Sequence, residues 1–312
     1  MHVPALSKGH PTPLAEWELQ TQIQQTLSEK YTGQIHISFM NDRTETIFAC
    51  EGIVRQVYIR NHRVPDLNWK DPIVRFGRGT LAVDSMPTRT LMFKKILLEA
   101  ITPPKPQHSG TNQLKTMFDL ARHNNTPTLF HIAWDHAEGF VLTAGKGIPI
   151  LRTVMVTRSG AEEGPVALDQ LSTWMEPQCN VYVYHGNLMS QAWLEIQLNI
   201  LFEWYCLNLL NRYKQLTGSV VVRSVLYNCL ALAMHNGWQV SIDEQELCDS
   251  TLFPNAAEAG NAYREILRSI KSQMEPVIGS ALTQTVLMGS KNSVRDTYRM
   301  LEDTFKLIEE TA

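Results

Sequence analysis

Two stretches decide how this chain is read: HISFMNDRTETIFACEGI, His36 to Ile53, and HIAWDHAEGFVLTAGKGI, His131 to Ile148. Laid over one another they share His36/His131, Ile37/Ile132, Ala49/Ala144, Gly52/Gly147 and Ile53/Ile148. Each alternates apolar and polar residues around a polar tip. Ile35, Ile37 and Phe39 precede MNDRTE, and Ile47, Phe48 and Ala49 follow it; Phe130, Ile132 and Trp134 precede DHAEG, and Phe140 and Leu142 follow. A period of two predicts a β-hairpin in each, then a turn and a third strand, IVRQVYI (53–59) or IPILRTVMV (148–156). Gly52 and Gly147 fall in the matching turns, where a backbone with φ > 0 is expected.

The flanks repeat too. Leu19, Ile23 and Leu27 before the first window, and Leu114, Met117, Phe118 and Ala121 before the second, have helical spacing. After the windows come short strands, TLAVD (80–84) and NVYVY (180–184), each followed by a helix: Phe93, Ile96, Leu97 and Ala100 share one face of the first, and Trp193, Ile196 and Ile200 mark the second. The polar RSGAEEGP (158–165) absorbs the extra length of the second copy. Between the copies, ITPPKPQHSGTNQ (101–113) reads as an exposed connector.

Beyond Ser190 the period stays helical. The stretch 190–215 is apolar nearly all round, as in the middle of a bundle. Val222, Val225, Leu226, Cys229, Leu230 and Ala233 mark the next helix, which stops at Gly237; Asn255 with Glu258 looks like a capping box, GSALTQTVLMGS gives a short helix, and Ser293 opens the last one. The expected fold is α+β: a first α/β repeat over 1–104, a second over 111–190, and an α-helical bundle of about five helices over 191–312.

YTGQIHIS (31–38), TIFACEGIVRQVYI (46–59) and RGTLAVDSMP (78–87) resemble the PATAN-type domains of the N-terminal part of PatA-like bacterial response regulators. The second copy keeps GKGI but has TPTLFHI where the family's Thr-Gly stands. The resemblance covers about 20–185 and implies an adaptor or regulatory module of bacterial signalling that works by binding other proteins. It brings no catalytic residues.

Composition narrows the classes. The 312 residues carry 28 Lys and Arg against 31 Asp and Glu, with no basic stripe to track phosphates, so nucleic acid is not the expected partner. Five irregularly spaced cysteines read as thiols of a reducing cytosol. The start lacks a secretory apolar core, and the most apolar run, Trp193 to Leu210, is broken by Glu195, Gln197, Asn199, Glu203 and Asn208; a cytoplasmic protein without membrane insertion is expected.

Chemistry is sparse. His131 and His136 point to opposite faces of a strand and so share no metal; His36 and His131 read as packed strand residues. Asp135, His136 and Glu138 read as a solvated hairpin tip. Lys146 in AGKGIP has neither the spacing nor the hydroxyl of a phosphate loop, and no nucleophile elbow, HExxH or dinucleotide fingerprint is present. Cys179, Trp134, Trp174, Trp193 and Trp204 read as core. No catalytic residue, cofactor or metal is therefore expected. Val294, Tyr298, Leu301, Phe305 and Ile308 form an a/d seam that must face the chain's own bundle, a second copy in a homodimer, or a protein partner. The leading expectation is a non-enzymatic protein-interaction adaptor, with a small-molecule sensor binding between the repeats as the alternative.

Overall fold

The alternation around His36 and His131 becomes two antiparallel meanders in the computed structural model, which describes residues 8–9, 13–64, 77–100, 102–146, 148, 150–186, 190–243, 246–294 and 296–308. The first sheet comprises β1 (Lys8–Gly9), β2 (Gly33–Phe39), β3 (Thr44–Cys50), β4 (Ile53–Ile59), β5 (His62–Arg63) and β6 (Gly79–Ser85). Helix α1 (Glu16–Ser28) lies between β1 and β2 in the chain, and α2 (Thr88–Glu99) follows β6. The second sheet comprises β7 (Gln107–Gly110), β8 (Thr128–Ala133), β9 (Ala137–Thr143), β10 (Leu151–Thr157), β11 (Gly160–Glu163) and β12 (Gln178–His185), with α3 (Leu114–Ala121) before β8 and α4 (Gly164–Thr173) before β12.

The strand orders, β1-β6-β2-β3-β4-β5 and β7-β12-β8-β9-β10-β11, are the same, and every pairing is antiparallel. His36 and His131 sit on corresponding central strands: His36 lies between Thr46 and Ala82, His131 between Phe140 and Tyr182. The second hairpin closes sooner. Ser38 pairs with Thr44 in the first, whereas Ala133 already pairs with Glu138 in the second.

Because side chains alternate across a strand, each sheet has two faces to cover. One face of the first sheet, Ile35, Ile37, Ile47, Val57 and Leu81, packs on Leu19 and Ile23 of α1. One face of the second, Phe130, Ile132, Val141, Met155 and Val181, packs on Leu114 and Phe118 of α3 and on Ala167 and Leu171 of α4. Helix α2 serves the remaining faces of both. Its Glu99 meets Tyr58 and Arg63 of the first sheet, and its Arg89, Phe93 and Lys94 meet Glu163, Phe140 and Glu138 of the second. The sequence assigned α2 one apolar face; it is buried almost all round because it lies between two sheets. Both sheets accordingly fall in one compact unit, Met1–Gly145 with Leu151–Gly186; Lys146–Ile150 with Asn187–Ala312 form the other. The connector 102–108 is largely exposed, but Gln107–Gly110, read from sequence as linker, is an edge strand on β12.

The second unit holds α5 (Gln191–Thr217), α6 (Ser219–His235), the hairpin β13 (Val240–Asp243) and β14 (Glu246–Asp249), α7 (Ala256–Ile278), α8 (Ser280–Asn292) and α9 (Asp296–Phe305). Its helices agree with the sequence periodicity except at Ser293, which was expected to open the last helix and instead caps the C-terminus of α8, α9 being Asp296–Phe305; the β13–β14 hairpin was not anticipated. Asn255 caps α7 by accepting from Glu258 N at 2.9 Å, while its own amide donates to Glu258 Oε1 at 3.1 Å. No helix among the described residues is long and apolar enough to cross a membrane.

Candidate functional site

Lys94 and Lys95 interrupt the apolar run Leu91-Met92-Phe93 and Ile96-Leu97 of α2, and both are buried. Lysine is almost never fully buried unless paired. Lys94 Nζ lies 2.6 Å from Glu138 Oε1 of β9, and His131 Nε2 of β8 lies 3.3 Å from the other Glu138 oxygen, an ion-pair distance without hydrogen-bond alignment. The His131 ring stacks on Phe140 at 4.9 Å and on Tyr182 at 5.5 Å between centroids. Burial alone would push the Glu138 carboxyl up, but Lys94 first and then His131 outweigh it and bring its pKa down to about 2. Asp84 of β6 belongs to the same cluster: burial raises its pKa, the Lys94 charge opposes that, and the Glu138 charge adds to it. The cluster thus joins one residue from the first sheet, one from α2 and two from the second.

On the first sheet the corresponding face is polar as well. His36 Nδ1 lies 3.0 Å from Thr46 Oγ1 and its Nε2 lies 3.2 Å from Ser38 Oγ, while the Tyr58 hydroxyl lies 3.1 Å from Gln56 Oε1 and 3.0 Å from Glu99 Oε1. Chemically, this interior is suited to fixing geometry. A carboxylate held near pKa 2 is poorly matched to proton transfer at neutral pH.

The hairpin-tip reading of Glu138 is corrected. Because the second hairpin closes sooner, Glu138 lies inside β9 and faces α2, leaving Asp135 and His136 at the tip. There the Asp135 amide donates to Glu176 Oε2 at 3.1 Å, and His136 Nδ1 lies 3.1 Å from Arg158 Nη2. His131 and His136 are therefore apart in environment, one buried and one exposed. Sequence reasoning missed the Lys94–Glu138 pair, although a lysine doublet in an apolar helix and a glutamate in an otherwise apolar strand were the available signals.

Gly52 has φ +78 and, with Glu51 at φ +52, makes a two-residue turn between paired Cys50 and Ile53. A Cβ on Gly52 would overlap the Leu27 carbonyl oxygen at the end of α1. Gly147 lies outside the described residues. Gly145, at φ +91, makes the comparable close approach, its Cβ position lying 3.0 Å from the Asn124 carbonyl oxygen after α3. All five cysteines are buried thiols with no disulfide, and burial pushes Cys179 up to about 11. Among the described residues no group of three or more His, Cys, Asp or Glu is arranged to hold a metal.

The second unit has its own buried polar network. Asp249 of β14 accepts from Tyr263 OH at 2.7 Å, from Asn199 Nδ2 at 3.2 Å, and from the Thr251 amide at 3.0 Å and hydroxyl. The Asp249 amide donates to Glu203 Oε1 at 3.1 Å. Burial raises the Asp249 carboxyl to about 6; the bonds from Thr251 and Tyr263 limit the rise and the Glu203 charge adds to it.

The C-terminal seam lies against the chain's own bundle, on α5 and α7. Val294, Tyr298, Leu301 and Ile308 are buried, and the Phe305 ring fills the space where a Gly260 Cβ would come 2.6 Å from its Cδ1. The surface proposed from sequence for a partner is thus covered within the unit. Its last residue is not helical: α9 stops at Phe305, Lys306 takes φ +47, and Arg264 donates to the Phe305 and Lys306 carbonyls. The chain then turns back, and the Ile308 amide donates to buried Glu302 at 3.2 Å.

No protein-family model matches the chain, and neither a curated protein nor a solved structure is significantly similar to it.

Proposed function

We propose that the chain is a non-enzymatic, cytoplasmic protein-interaction adaptor of bacterial signalling, made of two PATAN-like α/β repeats and a helical bundle. The repeat reading is supported by the common strand order of the two sheets and by the matching central positions of His36 and His131. The observation that carries the adaptor reading is the use of α2. A ligand between the repeats would have to lie where Phe93 and Lys94 already sit, and the Lys94 ammonium there is already paired with Glu138. An interior spent on its own cohesion leaves function to the surface. Large apolar side chains such as Met40, Ile53, Leu120 and Met175 are exposed in the first unit and offer anchors for a partner.

Two measurements test this. Affinity purification of the tagged chain with mass spectrometry should recover a protein at near-stoichiometric amount, lost when Ile53 or Met40 is replaced by Asp. A metabolite panel read by thermal shift should leave the melting temperature unchanged. A small molecule that raises it in a saturable way, with no protein recovered, would replace the adaptor reading by the sensor.

A further inference from the structure

The exposed face of α6 carries an apolar stripe, interrupted by exposed Ser224 and flanked by exposed Arg223 and Asn228. Val220, Tyr227 and Met234 are 78 %, 60 % and 77 % exposed and recur at i, i+7 and i+14, while Val222, Val225, Leu226, Cys229 and Ala233 bury the opposite face in the bundle. The stripe spans about 21 Å at helical rise. Exposed Ala231 and half-buried Val221 and Leu230 widen it, and the Asn228–Gln273 hydrogen bond of 2.6 Å to α7 forms a polar rim. Unlike α1, α7 and α9, which carry acidic residues, α6 has no carboxylate at all, and Arg223 is its one residue with a formal charge at neutral pH. Such a face fits neither a cationic nor an anionic polymer.

We propose that α6 is a self-association face, whose occupant is α6 of a second copy of this chain packed antiparallel about a twofold axis at Tyr227. The spacing supplies the argument. Tyr227 is midway between Val220 and Met234, so an antiparallel copy in this register sets Val220 against Met234 and Tyr227 against itself, the self-complementarity that a twofold interface requires. In the same register Arg223 stands opposite Ala231, one turn from the C-terminal carbonyls of the other helix, where positive charge is favoured. The two arginines stay apart. One helix face of this length covers roughly 400 Å² per copy, about half that of a standard interface, so the dimer is weak and forms with rising concentration. This inference stands apart from the adaptor reading, because it needs no foreign partner.

Sedimentation equilibrium of the full chain should show a mass rising with concentration from 35.4 kDa toward twice that value. Tyr227→Glu, a change at an exposed position, should keep the chain monomeric, and so should Tyr227→Arg. An equimolar mixture of the two variants should recover the dimer. Under mild oxidation Tyr227→Cys should crosslink to itself, and Val220→Cys should crosslink only when mixed with Met234→Cys, since the five native thiols are buried. A monomer at every concentration, or a dimer indifferent to Tyr227→Glu, overturns the proposal. So does a dimer abolished by Tyr227→Glu in which Tyr227→Cys fails to crosslink, and so does a monomeric chain that captures a different protein through Tyr227.

Discussion

Glu138 and Asp249 are both buried carboxylates, one in each unit, and their surroundings drive them in opposite directions. Glu138 faces the Lys94 ammonium and the His131 ring and is brought down to about 2. Asp249 is met by neutral donors from Asn199, Thr251 and Tyr263, with Glu203 close by, and is raised to about 6. The difference teaches what each interior needs. Between the sheets the charge ties α2 to the β8–β9 hairpin, which is distant in sequence; in the bundle, a hydrogen-bonded acceptor fixes a short hairpin to α5 and α7. An ion pair can bear burial because each charge compensates the other, and neutral donors compensate only in part.

The largest effect that could break this comparison is removal of one partner of the pair. Lys94→Met leaves Glu138 buried beside His131 alone and should cost about 3–5 kcal/mol in a denaturant melt. Adding Glu138→Leu should recover most of the loss. If the double variant is as unstable as the single one, the cost is packing and the ionic account of the interface fails.

Acidity should then separate the units with opposite signs. Glu138 has a folded pKa below its ordinary 4.5, so its contribution is complete above that value and is lost as pH falls toward 2. Asp249 has a folded pKa above its ordinary 3.8, so the bundle is favoured below 3.8 and loses that stability as pH rises through 6. Each shift corresponds to about 3 kcal/mol. Hydrogen exchange followed separately in the two units between pH 3 and pH 7, on the scale of those carboxyl pKa values, should show the stability difference between the parent and Glu138→Gln shrinking with acid in the first unit, where the raised Asp84 acts in the opposite sense, and the second unit strengthening. Asp249→Asn should flatten the second profile, and the same trend in both units would remove the contrast.

Smaller effects sharpen the picture within each unit. Gly52→Val must place a β-branched residue at φ +78 against the Leu27 carbonyl, for about 1–3 kcal/mol in a urea melt of the whole chain. Gly260→Val must displace Phe305 and should raise the proteolytic sensitivity of the residues after Ser293, with a loss of similar size, about 1–3 kcal/mol. Asn255→Ala should cost about 1 kcal/mol through the lost cap of α7.

The strands and helices with strong periodicity were legible in the sequence, because period two around Ile35–Phe39 and period three to four around Val222–Ala233 report burial directly. IVRQVYI, read as a strand from sequence, is β4 residue for residue. The candidate site was not legible. Lys94 and Glu138 come from elements far apart in the chain, and nothing local says that a helix will be shared by two sheets. Glu138 was assigned to a solvated tip because hairpin registers set by tertiary pairing cannot be read from alternation around DHAEG alone. Strand β7 escaped for a related reason: QHSG has no strand-like alternation, and it pairs because β12 presents an edge.

The central claim is that α2 binds two like sheets into one unit, and it is tested most directly by native-state hydrogen exchange read peptide by peptide in low denaturant. Amides of β2, β3 and β4 and amides of β8, β9 and β10 should converge on a common opening free energy as denaturant is raised, and Lys94→Met should lower both sets together. If the first set opens at a distinctly lower free energy while the second stays protected, or if Lys94→Met weakens the second sheet alone, the sheets are independent and the shared-helix account is contradicted.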